Sequence, residues 1–300
     1  MSITLSENCY AKINISLDVL GRRDDGYHTV EMLMQTVSLH DILTVSVHKE
    51  PRGIHISCSG DIYGFDEVPQ DSRNLAVRAA ELFMQTANIV CGLDISIEKN
   101  IPVGAGLGGA SSDAAGVLRV LNRHFGEPLT YLELRLIAAK LGADVPFFLC
   151  GGCMFADGIG TNLAFASPLP EKTLILIAKP PVFLSTPEVY KNLNLEDVTK
   201  HPDTHSVIHA LKSHNLSTLA DSCGNVLETS ALRFCSEIDE YKSIMKKCGA
   251  RIALMSGSGP SVFGIFTNRR SFNDAFGALR ELSREVYFCY PQQGKWKGDF

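Results

Sequence analysis

Hydrophobic and polar positions alternate strictly from Ala11 to Val19, with Ala11, Ile13, Ile15, Leu17 and Val19 on one face. In a regular strand Lys12, Asn14, Ser16 and Asp18 then share the opposite face. A charged turn follows at Gly21 to Gly26, and the runs Met32–Leu39, Ile42–Val47 and Ile54–Cys58 predict further strands. Helical spacing takes over at Leu75 to Ala87, where Leu75, Ala79, Leu82 and Phe83 fall on one side. Leu93 to Glu98 alternates again as a strand and runs directly into a glycine-rich stretch, after which Ala110 to Asn122 reads as a helix. Thr130 with Glu133 forms a capping-box pattern that starts another helix, and Gly142 is placed to end it. The pattern breaks between residues 156 and 172, at Asp157-Gly-Ile-Gly160 and two prolines. Leu174 to Ala178 then opens a new strand, followed by mixed helices and a strand–loop–strand around Ser256-Gly-Ser-Gly-Pro260. This arrangement predicts two α+β domains meeting at about residue 160, namely 1–160 and 161–300.

Composition narrows the function classes. A chain of 300 residues with 45% hydrophobic and 20% charged residues is globular, and long enough for one large domain or two ordinary ones. Its net charge of −5 argues against an extended nucleic-acid surface, so an anionic ligand must be met by local cations and backbone N–H groups. No apolar run approaches the ~20 residues of a membrane span, and Met1 to Lys12 has no signal-peptide pattern. Nine scattered cysteines fit reduced thiols and a cytoplasmic location. Cys150-Gly-Gly-Cys153 has flanks, Phe147-Phe148-Leu149 and Met154-Phe155, that read as buried strand, and no second pair completes a zinc site. His201, His205 and His209 are four apart, but Pro202 and Asp203 break any helix that would align them, which leaves them solvated.

The candidate chemistry lies in Pro102-Val-Gly-Ala-Gly-Leu-Gly-Gly-Ala-Ser-Ser-Asp-Ala-Ala115. Gly104, Gly106, Gly108 and Gly109 let the backbone approach a polyanion, and the helix that follows offers unpaired N–H groups to phosphate. Ser111 and Ser112 add hydroxyls that can bond a phosphate oxygen or a hydrated Mg²⁺. Gly104-x-Gly106-x-x-Gly109 matches the dinucleotide fingerprint, but the strand before it is amphipathic rather than a buried apolar run. No Lys-Ser/Thr follows the glycines, so this is not a Walker loop. A flexible hinge is the plain alternative.

This loop resembles the phosphate loop of the galactokinase–homoserine kinase–mevalonate kinase–phosphomevalonate kinase (GHMP) superfamily. Ala11-Lys-Ile-Asn14, Arg23-Asp-Asp-Gly-Tyr-His28, Gly142-Ala-Asp-Val-Pro146 and Met255-Ser-Gly-Ser-Gly-Pro260 are together similar to the branch that phosphorylates 4-diphosphocytidyl-2-C-methyl-D-erythritol in the non-mevalonate isoprenoid pathway. The matches run from residue 11 to about 266. The resemblance implies an α+β kinase with a ribosomal-protein-S5-like, ATP-binding N-terminal domain and a ferredoxin-like, substrate-binding C-terminal domain. The rivals are a homoserine- or mevalonate-type sister kinase, a non-catalytic sensor on the same fold, and an oxidoreductase.

The same resemblance implies ATP with Mg²⁺ as cofactors and a cytidyl diphosphate alcohol as substrate, with no nucleic acid, no membrane and a monomer or weak homodimer. It makes Asp144 the general base and places Lys12 beside it. Read without the family, Asp144 is a solvated loop carboxylate barred from helix by Val145-Pro146, and Lys12 is an exposed strand lysine. The resemblance also implies that Pro102, Val103, Gly104, Ala105, Gly106, Leu107, Gly108, Gly109, Ala110, Ser111 and Ser112 hold the phosphates. Lys99 and Asn74 are weaker candidates near the adenine. His28 and Tyr190 would sandwich the cytosine, with Tyr27 beside them. Asn14 would position the substrate, and Gly257 and Ser258 would meet its anionic part. Val226 and Thr161 stand where the family pattern has an aspartate and a glutamate. No carboxylate reads as a dedicated metal ligand, so phosphates and water are expected to hold the metal.

Overall fold

The computed structural model describes residues 3–294, so the ends of the Met1–Lys12 stretch and of the 161–300 span lie outside the described residues. In chain order the elements are strands β1 (Ile3–Arg22), β2 (His28–His48) and β3 (Gly53–Ser59), helix α1 (Leu75–Ala87), β4 (Gly92–Glu98), and helices α2 (Gly109–His124), α3 (Tyr131–Leu141) and α4 (Val145–Cys150). Strands β5 (Cys153–Asp157), β6 (Asn162–Phe165) and β7 (Leu174–Ala178) follow, then helices α5 (Thr186–Lys191), α6 (Thr204–Lys212), α7 (Leu216–Ser222), α8 (Glu228–Ala231) and α9 (Glu237–Lys247). The last elements are β8 (Ile252–Met255), β9 (Val262–Phe266), α10 (Arg269–Arg280) and β10 (Val286–Cys289).

Strands β1 to β6 form one sheet in the order β3-β4-β2-β5-β6, with β1 also paired to the long β2. Only β3 and β4 run parallel. The second sheet has the order β10-β7-β9-β8, all antiparallel, with α9 between β7 and β8 and α10 between β9 and β10. That is the ferredoxin-like order of strands, reached from a β-α-β-β-α-β frame into which α5 to α8 are inserted. Helix α3 begins at the Thr130–Glu133 capping box and ends at Gly142, as the sequence predicts.

Three features depart from the sequence expectation. Met32–Leu39 and Ile42–Val47 are not two strands but parts of β2, because β1 pairs with β2 on both sides of the polar His40–Asp41 step. Phe147-Phe148-Leu149 is helical, not strand; its rings are buried all round, and an apolar run has no periodicity to separate the two. Asp144 sits in right-handed helical conformation (φ −84°, ψ −15°) at the start of α4, not in a loop barred from helix. Pro146 is tolerated there because the N–H groups of a first helical turn have no intrahelical partner to lose.

The strict alternation of β1 also conceals a bulge. Asn14 pairs with Met34 and Ser16 with Leu33, which leaves Ile15 as an extra residue and switches the faces beyond it. Ala11, Ile13 and Ile15 pack in the layer with Ile175, Ile177, Phe263 and Ile265 of the second sheet. Leu17 and Val19 instead join the layer with Val117 and Leu121 of α2. Ser16 and Asp18 therefore do not share a face with Lys12 and Asn14. Ser16 shares a 2.8 Å hydrogen bond with Thr204, and Asp18 lies 2.7 Å from His201.

Candidate active site

The glycine loop and β1 are stitched together before any side chain acts: Lys12 N–H donates to the Leu107 carbonyl at 2.9 Å. The Lys12 side chain is 5% exposed, donates from Nζ to Asn14 Oδ1 at 2.5 Å, and lies 3.8 Å from Asp144 Oδ2. Burial pulls the Lys12 ammonium below its ordinary pKa, and Asp144 opposes that pull. Lys12 is thus a desolvated cation held between an amide oxygen and a carboxylate, not an exposed strand lysine.

Helix α2 starts at Gly108 with no side-chain cap and no acidic residue in its first turn. Gly109, Ala110 and Ser111 open that turn on the wall of a cavity of about 970 Å³, where the helix N-terminus favours an anion. Gly106 has φ +73°, and a Cβ there would stand 2.0 Å from the Ser256 carbonyl oxygen. Ser256 Oγ donates to the Gly106 carbonyl at 3.0 Å, so the two glycine loops of the chain lie back to back. The second loop is fixed in turn by Asn225, whose Nδ2 donates to the carbonyls of Met255 and Gly257, each at 2.8 Å.

One cavity gathers nearly all the residues singled out from sequence. Lys12, Asn14, Tyr27, His28, Asn74, Lys99, Asp144, Tyr190, Gly257 and Ser258 line it, with Pro102 to Gly106 and Gly108 to Ser111. Leu107 and Ser112 do not. The Leu107 side chain is buried in the core, so only its carbonyl serves the loop, and Ser112 is turned inward with its N–H already given to Gly108.

At one end of the cavity the rings of His28 and Tyr190 touch, with centroids 5.2 Å apart and planes tilted by 39°. A base between them needs about 7 Å, twice a van der Waals contact, so the expected sandwich requires one ring to move. Burial, and then the Arg22 charge, lower the His28 pKa. Burial, and then Asp144, raise that of Tyr190, which puts its hydroxyl in the field of that carboxylate. Tyr27 is mostly exposed at the rim.

At the other end Asn74 caps α1, accepting from Ala76 N–H at 2.9 Å and donating to the Pro69 carbonyl at 2.7 Å. Its amide thus shapes the wall more than it offers itself to a ligand. Lys99 differs from its sequence reading too: Nζ is held by Asp41 and by Asp113, the latter at 2.6 Å. Burial alone would lower its pKa, but the two carboxylates outweigh that and raise it. Sequence reasoning missed Asp41, Asp113 and Asn225. The signal for Asp41 was a lone carboxylate between two apolar strand runs, and for Asp113 a carboxylate on an apolar helix face.

Among the described residues no group of three or more His, Cys, Asp and Glu side chains could hold a metal. Helix α6 starts at Thr204, after His201, and His205 lies against the Phe155 ring. Cys150 and Cys153 are buried thiols, the latter pushed up to about 12 by burial. Val226 is buried in the core, and the Thr161 carbonyl accepts from Arg135 at 3.0 Å. Neither departure from the family pattern touches the cavity. No helix among the described residues is long and apolar enough to cross a membrane.

Residues 74–152 match the model of the GHMP kinases N terminal domain, and residues 207–285 that of the GHMP kinases C terminal. The 4-diphosphocytidyl-2-C-methyl-D-erythritol kinase of Clostridium botulinum (strain Alaska E43 / Type E3) is 44% identical over 278 residues, covering 93% of this chain and 96% of that protein. The enzyme of the same name from Clostridium tetani is 40% identical over the same shares. A crystal structure of 4-(cytidine 5'-diphospho)-2C-methyl-D-erythritol kinase superposes with a TM-score of 0.79 at 34% identity, covering 97% of this chain and 100% of that one. Homoserine kinase from Cytophaga hutchinsonii shares the fold, with a TM-score of 0.76 at 20% identity over 97% of this chain and 96% of that one.

Proposed function

The chain belongs to the GHMP kinases and, among them, to the 4-diphosphocytidyl-2-C-methyl-D-erythritol kinase family, and from that premise we propose how its site carries out the reaction. It is an ATP-dependent kinase that phosphorylates the 2-hydroxyl of 4-diphosphocytidyl-2-C-methyl-D-erythritol, a step of the non-mevalonate route to isoprenoid precursors. One observation carries the residue assignment: Lys12 and Asp144 lie 3.8 Å apart on the wall that the glycine loop also forms.

The nucleotide phosphates lie against Gly104 to Ser111, where backbone N–H groups and the α2 N-terminus offset their charge. The start of α2 fits that role, because it opens on the cavity with no side-chain cap and no acidic residue in its first turn. Mg²⁺ bound with the phosphates would supply charge neutralisation on the transferring group; the backbone N–H groups of the loop would hold the phosphates, and the phosphates with water would hold the ion. Asp144 accepts the proton of the substrate hydroxyl as its oxygen bonds to the γ-phosphorus and the bond to the ADP oxygen breaks. Lys12 stays charged between Asn14 and Asp144 and stabilises the equatorial phosphoryl oxygens. The acceptor is a tertiary alcohol, so holding it in line matters as much as removing its proton.

Asn14 orients that alcohol, His28 and Tyr190 part to take the cytosine with Tyr27 at the rim, and Gly257 and Ser258 meet the diphosphate. Lys99 and Asn74 shape the adenine end. We read residues 1–160 as the ATP-binding domain and 161–300 as the substrate domain, with the site drawing on both. The free thiols support a reducing, cytoplasmic environment, and we read the chain as a monomer or weak homodimer. The test is phosphoryl transfer from ATP–Mg²⁺ to three acceptors. Turnover of the cytidyl alcohol alone is expected; equal turnover of homoserine or mevalonate would overturn the assignment.

A further inference from the structure

Lys99, Asp41 and Asp113 form a buried charge triad directly behind the glycine loop. Asp41 is at the middle of β2, and its Oδ1 accepts from the N–H groups of Asn100 and Ile101 at 2.6 and 2.8 Å, fixing the chain where it enters the loop. Asp113 is on the second turn of α2, where the chain leaves the loop. The Lys99 ammonium bridges the two, and a Cβ on Gly109 would lie 3.4 Å from its Nζ. The two ends of the phosphate cradle are therefore stapled through one cation.

Its charges do not balance. Two carboxylates face one ammonium, and Asp113 is 3% exposed with an Oδ1 that has no hydrogen-bond partner. A bare anionic oxygen in that position is costly unless it gains a proton or a donor. Both carboxylates are held on the same Lys99 ammonium, so one proton on the pair would neutralise the triad. The other titratable groups nearby are Cys9 of β1 and Cys58 of β3, both raised by burial and so neutral, with Glu7 and Arg119 beyond Cys9.

We propose that Asp113 is a positioning residue for the nucleotide: with Asp41 and Lys99 it clamps the entry and exit of the glycine loop, and the carboxylate pair takes up one proton as phosphates fill that loop. Burial, partly offset by Lys99 and reinforced by Asp41, pushes the Asp113 carboxyl up to about 7, so the free site is poised to change charge near neutrality. Phosphate charge arriving at the same helix raises it further. The proton comes from solvent, and an empty cradle above neutrality is left with a net negative charge behind it. The proposal rests on nucleotide occupying this loop.

Infrared difference spectra of the wild-type protein with and without a non-hydrolysable ATP analogue test it, paired with calorimetry in two buffers of different ionisation enthalpy. At about pH 8.5, where the free pair is ionised, binding should produce a protonated-carboxyl band and a buffer-dependent heat equal to a large fraction of one proton. At about pH 5.5, where the proton is already present, the new carboxyl band should vanish. Asp113→Asn should bind the analogue without band or uptake. Binding without a new band in the wild type, or a band that persists in Asp113→Asn, would overturn the proposal and leave the kinase assignment standing. No binding at all would overturn the nucleotide reading itself. If Asp113→Asn fails to fold, the absence of a band in the wild type still overturns the proposal, and so does a band that disappears in Asp144→Asn, a carboxylate that also lines the cavity.

Discussion

Lysine 12 owes its properties to position. The same side chain in water would keep its proton to the ordinary value of 10.5, but burial lowers that value here. Between the folded and unfolded values the unfolded chain binds more protons, so this group makes stability rise with pH in that window. Catalysis runs the other way, because the ammonium is lost as pH rises. The pH profile of kcat should therefore carry an alkaline limb below 10.5; a profile flat to that pH would contradict the role of Lys12. Asp144→Asn should lower kcat by ~10²- to 10⁴-fold in steady-state assays of a protein that still melts cooperatively. His28→Ala should raise KM for the cytidyl substrate by ~5- to 100-fold, the worth of ~1–3 kcal/mol of base stacking, and leave KM for ATP nearly unchanged. Equal effects on both would refute stacking. The family resemblance brought Lys12, Asn14, the loop glycines and His28 together in advance, and they do line one cavity, whereas spacing alone read Lys12 as an exposed strand lysine. Side chains whose partners lie far along the chain were not legible. Asp41 meets Lys99 across 58 positions, and no local pattern announces such a pair.

Elements were legible where their own signals sufficed. Helix α1 has the predicted bounds, and α3 has its predicted cap and stop. The misreadings came from residues whose surroundings, not spacing, set their conformation. Helix α4 is apolar on every side, and β2 continues through His40 and Asp41 because its neighbour strand pairs across them. The glycine loop shows the same dependence at finer grain. Four glycines announce a close approach, but only the folded chain shows that at Gly106 the approach is to Ser256. Gly106→Ala should cost ~1–3 kcal/mol in chemical denaturation, from strain at φ +73° and the clash with Ser256. It should also weaken ATP binding; an alanine variant that binds ATP and unfolds like the parent would show that the loops are not in contact.

At the scale of the whole molecule, the two sheets are tied by polar contacts that cross between them as well as by the core. Gln35 of β2 accepts from Leu169 N–H at 3.1 Å, in the crossover to the second sheet, and donates to the Gln292 carbonyl at 2.9 Å, beyond β10. Gln35→Leu would leave the Leu169 N–H unpartnered and the Gln292 carbonyl with the Thr36 hydroxyl at 3.2 Å, and should lower the unfolding free energy by ~1–3 kcal/mol in urea titrations. A loss under ~0.5 kcal/mol would mean water replaces the amide at no cost. The extra residue at Ile15 has a consequence on the same scale. Strand β1 lines the cavity that, in the proposed function, admits a triphosphate and a diphosphate together, and Asp18 is four residues beyond Asn14. In an unbroken ladder its carboxylate would look into that chamber and repel both guests. The slipped residue turns it outward to His201, so a local irregularity in the ladder keeps the vestibule free of one unwanted negative charge.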